Sequence, residues 1–114
     1  MAVFNGAFPV LPGHEDDARR FAEEVGSERK AEFDEMQRRG GVTRETWSVQ
    51  QTPMGSFVLV WFEAPDLEAP FVDLATSGDD FTKWFVGRVK DVTGVDMTAP
   101  DDSPPPETVL EWST

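Results

Sequence analysis

Hydrophobic and polar positions divide the chain into six segments of different period. Residues Ala2 to Leu11 are apolar almost throughout, rich in Val and Phe, with no helix-cap signal ahead of them. They are expected to form a central strand with both faces covered. Pro12-Gly13 turns the chain, and Glu15, Asp16 and Asp17 then set negative charge at the positive end of a helix. That helix is expected to run to about Arg39, with Ala18, Phe21, Ala22, Val25, Phe33 and Met36 as its apolar stripe. Gly26-Ser27 interrupts the stripe and predicts a kink. Arg38-Arg39 followed by Gly40-Gly41 is a cation-then-glycine stop.

Val42 to Gln51 alternates, with Glu45, Trp47 and Val49 on one side and Arg44, Thr46, Ser48 and Gln50 on the other. Thr52-Pro53-Met54-Gly55 is a turn, and Ser56 to Glu63 follows as a second strand, so the two form an antiparallel hairpin. With Pro53 and Met54 as the loop, Arg44 falls opposite Glu63 and Trp47 opposite Val60, an alignment favoured by the opposite charges. Asp66 to Thr76 is expected to be a short helix. Asp79-Asp80 opens a stronger one through Val92, with Phe81, Trp84, Phe85, Val89 and Val92 inward and Gly94 as its stop. A proline-rich spacer over residues 95–106 precedes a last short edge strand, Glu107 to Trp112.

The expected fold is therefore α+β: one domain over residues 1–114, with a βαββαβ antiparallel sheet and its helices on one face. Phe57, Leu59 and Trp61 occupy one side of their strand and Val58, Val60 and Phe62 the other. The chain has helices for only one of those sides. A second copy packed sheet to sheet is expected to cover the other, making a homodimer.

Composition narrows the chemistry. There is no cysteine, which excludes disulfides, thiolate metal sites and a cysteine nucleophile. Tyrosine is absent too, which removes a common general acid. The formal net charge of −12, from 22 acidic and 10 basic side chains, repels phosphate backbones and anionic lipid heads. Nucleic-acid and membrane partners are not expected. The longest apolar run, Phe57 to Phe62, is far short of a membrane span, and no secretory pattern opens the chain, so a cytoplasmic protein is expected.

The layout resembles the dimeric α/β-barrel superfamily, ferredoxin-like units related to antibiotic-biosynthesis monooxygenases. The resemblance rests on a first strand ending in Leu11-Pro12-Gly13 before an acidic helix start. The Trp47 and Trp61 strands around a tight turn, and the Phe81 to Val92 helix before the final strand, complete it. Arg29 and Glu32 ahead of Arg44-Glu45 are most like small uncharacterised members. The superfamily includes cofactor-free oxygenases, haem-degrading enzymes, polyketide cyclases, isomerases and members without known activity. Membership implies a pocket between sheet and helices and leaves the reaction open.

Six residues are candidates for binding a ligand there: Asn5, Arg29, Trp47, Trp61, Trp84 and Arg88. Asn5 is a polar amide in an otherwise apolar strand and needs hydrogen-bond partners if buried. In haem-degrading relatives a first-strand Asn works with a Trp and an axial His. Asn5 and Trp61 suit the first two roles, but Phe81 to Val92 contains no histidine, so neither haem nor any other cofactor is expected. Arg29 and Arg88 sit where apolar stripes predict hydrophobes. A guanidinium there either stabilises an anion in a pocket or lays its stem along the core with its head in water. Glu45 shares the face of Trp47, which makes an Arg29–Glu45 pair a specific structural possibility. The tryptophans are otherwise core and interface material. His14, the only histidine, reads as a surface turn residue, and no metal site is expected.

Two functions follow from these residues. One is a metal-free enzyme, an oxygenase, cyclase or isomerase acting on an apolar or aromatic metabolite. The other is a non-catalytic homodimer that binds a ligand or plays a structural part. A cavity of several hundred cubic ångströms reached by Asn5 and an arginine would favour a small-molecule site, and a filled core would not.

Overall fold

The computed structural model describes residues 1–99 and 104–114. Three strands and four helices follow in the order β1 (Ala2–Pro9), α1 (Glu15–Gly26), α2 (Lys30–Gly40), β2 (Arg44–Thr52), β3 (Gly55–Ala64), α3 (Glu68–Thr76) and α4 (Asp80–Thr93). The strands form one antiparallel sheet in the order β1-β3-β2. Strand β3 therefore lies in the middle, bonded to β1 from Ala2↔Ala64 to Pro9↔Phe57. On its other side it meets β2 with Arg44 opposite Glu63 and Trp47 opposite Val60. That is the register expected from the two-residue Pro53-Met54 loop. The Thr52 hydroxyl holds the loop by donating to the Gly55 carbonyl at 2.7 Å and accepting from the Met54 amide at 3.1 Å.

Three expectations are corrected. Among the described residues β1 is an edge strand, and one of its faces, with Val3, Asn5 and Ala7, is exposed because no described element packs on it. The long first helix is two helices, because Gly26 frees the chain and the Ser27 hydroxyl turns back onto the Glu23 carbonyl at 2.6 Å. The expected last strand, Glu107 to Trp112, is not formed. Residues 104–114 are irregular and exposed, with Val109, Leu110 and Trp112 at 87%, 82% and 79% exposure. Three consecutive prolines offer no N–H donors, and among the described residues no strand pairs with this segment. Of the spacer expected over residues 95–106, residues 100–103 lie outside the described ones. The sheet thus has three strands where four were expected.

One sheet face is turned to the helices. Its rows are Phe4, Gly6 and Phe8 on β1, Val58, Val60 and Phe62 on β3, and Glu45, Trp47 and Val49 on β2, all wholly or partly buried. Gly6 is needed in this row: a Cβ there would stand 2.6 Å from the Phe4 ring. The freed space lets Phe4 stack on Phe62 at 4.9 Å between centroids. The other face carries Val3, Asn5 and Ala7 beside Leu59 and Trp61, then Thr46 and Ser48. No described element covers it.

The helix-side core falls into two separate clusters. One gathers Phe21, Val25, Met36, Phe81 and Phe85 with Phe33, Trp47 and Trp84 around them. The other is small: Val10, Ala18 and Val92 with Val49 and Val58. The helices are tied at their ends by charge. The Arg39 guanidinium donates to both Asp73 oxygens at 3.1 and 3.2 Å and to Asp79 at 3.2 Å, linking α2 to α3 and α4. Asp79 caps α4 by accepting from the Thr82 amide at 3.2 Å and from the Ser77 and Thr82 hydroxyls.

These donors hold the Asp79 carboxyl far below the ordinary carboxylate range, the Ser77 hydroxyl first among them. A depressed folded-state pKa means stability that is present above the unfolded pKa and lost as pH falls through the folded one. Asp79→Ala is therefore expected to cost about 1–2 kcal/mol at neutral pH. Thermal melts should show the deficit against wild type in full above about pH 5 and shrinking below about pH 4.

Candidate functional site

Between the two core clusters lies a cavity of about 430 Å³. Its floor is the inner sheet face, from Phe4 and Phe8 across Val58, Val60 and Phe62 to Trp47 and Val49. Its walls are Ala18, Phe21 and Ala22 of α1, Met36 of α2, Phe71 and Leu74 of α3, and Phe85 and Val89 of α4. Apolar alternation on the strands and the 3.6-residue stripe on the helices place these side chains there. The cavity stays open because bulky rings prop the helices at one end. Phe21 meets Trp47 at 5.3 Å and Phe85 at 5.2 Å, and Phe33 meets Trp47 at 5.9 Å. At the other end Val10, Ala18 and Val92 are too small to fill the breadth those rings impose.

Few polar groups reach this space: Arg19, Gln37, Glu45, Asp73 and Thr93. Arg19 is half exposed and bonds Asp16 at 2.8 Å, so it stands at the rim. Asp73 is held by Arg39. Glu45 is different. It sits in the inward row of β2 between helix and sheet, and its carboxylate accepts from Gln37 Nε2 at 3.0 Å and from the Trp47 indole N–H. No lysine or arginine among the described residues forms an ion pair with it. Burial pushes the Glu45 carboxyl above its ordinary range, against the pull of the Gln37 and Trp47 hydrogen bonds. A desolvated carboxylate in an apolar cavity can accept hydrogen bonds, bind a cation, or take up a proton more readily than an exposed one.

Of the six residues expected at the site, Trp47 alone lines this cavity. Asn5 and Trp61 are cross-strand neighbours on the opposite sheet face, bordering a shallow recess with Thr46, Ser48 and Leu59. Arg44 lies over the Trp61 ring there at 5.6 Å. Arg29 begins α2, forks onto Glu32 at 3.0 and 3.1 Å, and stacks over Trp84 at 4.2 Å. The expected Arg29–Glu45 pair is therefore not made. Arg88 points to Glu24 at 3.5 Å and lies over Phe21 at 5.8 Å. Both arginines keep their stems on the core and their heads near acids, and Trp84 packs against Phe21 and Phe81. His14 Nδ1 sits 3.0 Å from Asp17 at the start of α1.

Sequence reasoning passed over Gln37, Arg19 and the role of Glu45 as the cavity's polar centre. A signal for Glu45 was present: a charged residue in the same alternating row as Trp47 and Val49 must be buried with them. Gln37 carried none, since only the folded packing of α2 on β2 brings it across. Among the described residues no group of three or more His, Asp or Glu side chains is arranged to hold a metal ion. Among the described residues no helix is long and apolar enough to cross a membrane.

No protein-family model matches the chain, and no curated protein or solved structure matches it significantly.

Because the folded-state pKa of Glu45 is raised, its ionised form opposes folding as pH climbs past the unfolded value near 4.5. Replacement Glu45→Gln should leave the Tm difference from wild type flat below about pH 4. Above that the difference should move in favour of the variant and level off once the folded-state carboxyl has itself ionised, read by thermal melts across the range.

Proposed function

We propose that this chain is a small-molecule-binding protein that takes an apolar ligand into the cavity between sheet and helices. In this reading two copies pair through the open sheet face. The observation that carries the first half is the cavity itself, about 430 Å³ walled mostly by apolar side chains, with two carboxylates on its lining, Asp73 bound by Arg39 and Glu45 without a cation among the described residues. That size and lining suit a small organic molecule of one or two rings. Any catalysis in it would fall to Glu45, because Asn5, Trp61, Arg29 and Arg88 are not gathered around the same space. This supports binding first and leaves the oxygenase, cyclase and isomerase alternatives to the ligand's own chemistry.

The second half rests on charge and exposure. The outward rows hold Val3, Ala7, Phe57, Leu59 and Trp61, while their charges, Arg44 and Glu63, cancel. On a chain of net charge −12 this is a face on which two copies can meet without strong repulsion. A copy seated there would shelter Leu59 and Val3, exposed at 36% and 40%. A pocket on one side of the sheet and a partner copy on the other would make this a dimeric α/β barrel. A full ferredoxin-like sheet would further need Glu107 to Trp112 on the free outer edge of β1.

Titration with a neutral aromatic such as naphthalene, followed by the indole N–H resonances, tests the cavity. The Trp47 signal is expected to shift while that of exposed Trp112 stays still, and Ala22→Phe should weaken binding by about tenfold or more. A Trp47 signal unmoved at saturating probe would rule the cavity out as a binding site. For the pairing, sedimentation of the wild type should give twice the chain mass. Leu59→Lys should halve it by burying a charge in the seam, and a wild type that sediments as a single chain would refute it.

A further inference from the structure

The cavity has one polar feature that its apolar walls do not explain, and that feature has a definite charge. Glu45 is half-buried in the inward row of β2 beside Trp47 and Gln37, and both of its hydrogen bonds come from neutral donors. Arginines of the helical layer form their ion pairs elsewhere: Arg19 with Asp16, Arg29 with Glu32, Arg39 with Asp73 and Asp79, Arg88 with Glu24. A buried carboxylate without a counter-charge is costly, and folded proteins ordinarily pair it. We propose that the missing counter-charge belongs to the ligand, and that the cavity selects an apolar organic ammonium whose nitrogen bonds Glu45.

Three further observations agree with this assignment, which rests on reading the cavity as a binding site. Two lone-pair positions of the Glu45 carboxylate remain after Gln37 and Trp47 have bonded to it, enough for an N⁺–H donor. The wall beside Glu45 is aromatic: Trp47 with Phe21 and Phe85 packed against it at 5.3 and 5.9 Å, and aromatic faces attract cations. The field of the whole protein has the matching sign, since a net charge of −12 draws cations to the surface and repels carboxylates and phosphates. The raised pKa of Glu45 has the same origin as the proposal, burial without a cation, and a bound ammonium would pull it back down.

Calorimetric titration of the full chain at pH 7 with three probes of one shape tests this: phenethylamine, 2-phenylethanol and 3-phenylpropanoate. The amine is expected to bind at least about tenfold tighter than the alcohol, and the carboxylate not at all. In Glu45→Gln the amine and the alcohol should bind within about twofold of each other, with the alcohol as in wild type. Glu45→Asp, which keeps the charge but withdraws it by one methylene, should retain part of the preference. An alcohol that binds wild type as well as the amine does, or a preference that survives Glu45→Gln, overturns the inference and leaves the cavity reading standing. If none of the three probes binds or moves the Trp47 indole signal, the cavity reading fails as well. Equal binding of alcohol and amine by the wild type refutes the inference even if a variant does not fold.

Discussion

Strand β3 is the member on which the other elements depend. It is hydrogen-bonded along both edges, and its side chains are apolar on both faces, so neither side of the sheet is indifferent to what covers it. On the inner side, Val58, Val60 and Phe62 require the helices to cross above them. The helices do so, but at a height set by the rings of Phe21, Trp47 and Phe85 at one end. Interiors are normally packed to crystal density. Here the core is divided into a ring-rich cluster and a small aliphatic one, and the space between them is the cavity.

Within that frame the charged groups divide into two kinds. Arg39 with Asp73 and Asp79 is a bracket: it joins three helix ends, and each partner is satisfied several times over. Its geometry holds the helical layer around the cavity's edge. Glu45 is the opposite case, a carboxylate placed by strand alternation among aromatic rings and held only by neutral donors. The same low-polarity surroundings that make it expensive in the empty protein would strengthen any charge-assisted bond it made to a ligand. Stability given up at a site and recovered on binding is a familiar arrangement in proteins.

The outer side of β3 poses the complementary problem. Phe57, Leu59 and Trp61 lie between the short apolar residues of β1 and the hydroxyl-bearing residues of β2. The described helices all lie on the other face. The terminal segment does not reach over it either, since residues 104–114 remain exposed along their length. One chain therefore presents together a sheet surface of no net charge and a tail with Val109, Leu110 and Trp112 exposed, and both are features that a single copy does not bury.

Much of the local structure was legible from residue order, and much of the site was not. The hairpin register follows from turn length and the Arg44–Glu63 pairing, both short-range facts. The starts and stops of the helices follow from Asp79, Gly41 and Gly94, whose capping roles are local. Trp47 and the inward placement of Glu45 were readable from alternation. The break at Gly26 was read as a kink and proved to be a division between helices, because the propensity of one glycine does not say how far the axis turns. Glu107 to Trp112 carries the Val, Leu and Trp of an expected strand yet forms none, since a strand exists only with a neighbour to bond and composition cannot supply one. Arg29 and Arg88 could not be assigned from their places in a stripe, because a long side chain can reach in or out from the same Cα. The sequence by itself determined which residues face each other along and across neighbouring elements. Only the tertiary structure decided how far the helices stand from the sheet, and that distance, set by ring sizes at sites far apart in the chain, makes the cavity and leaves Glu45 without a cation.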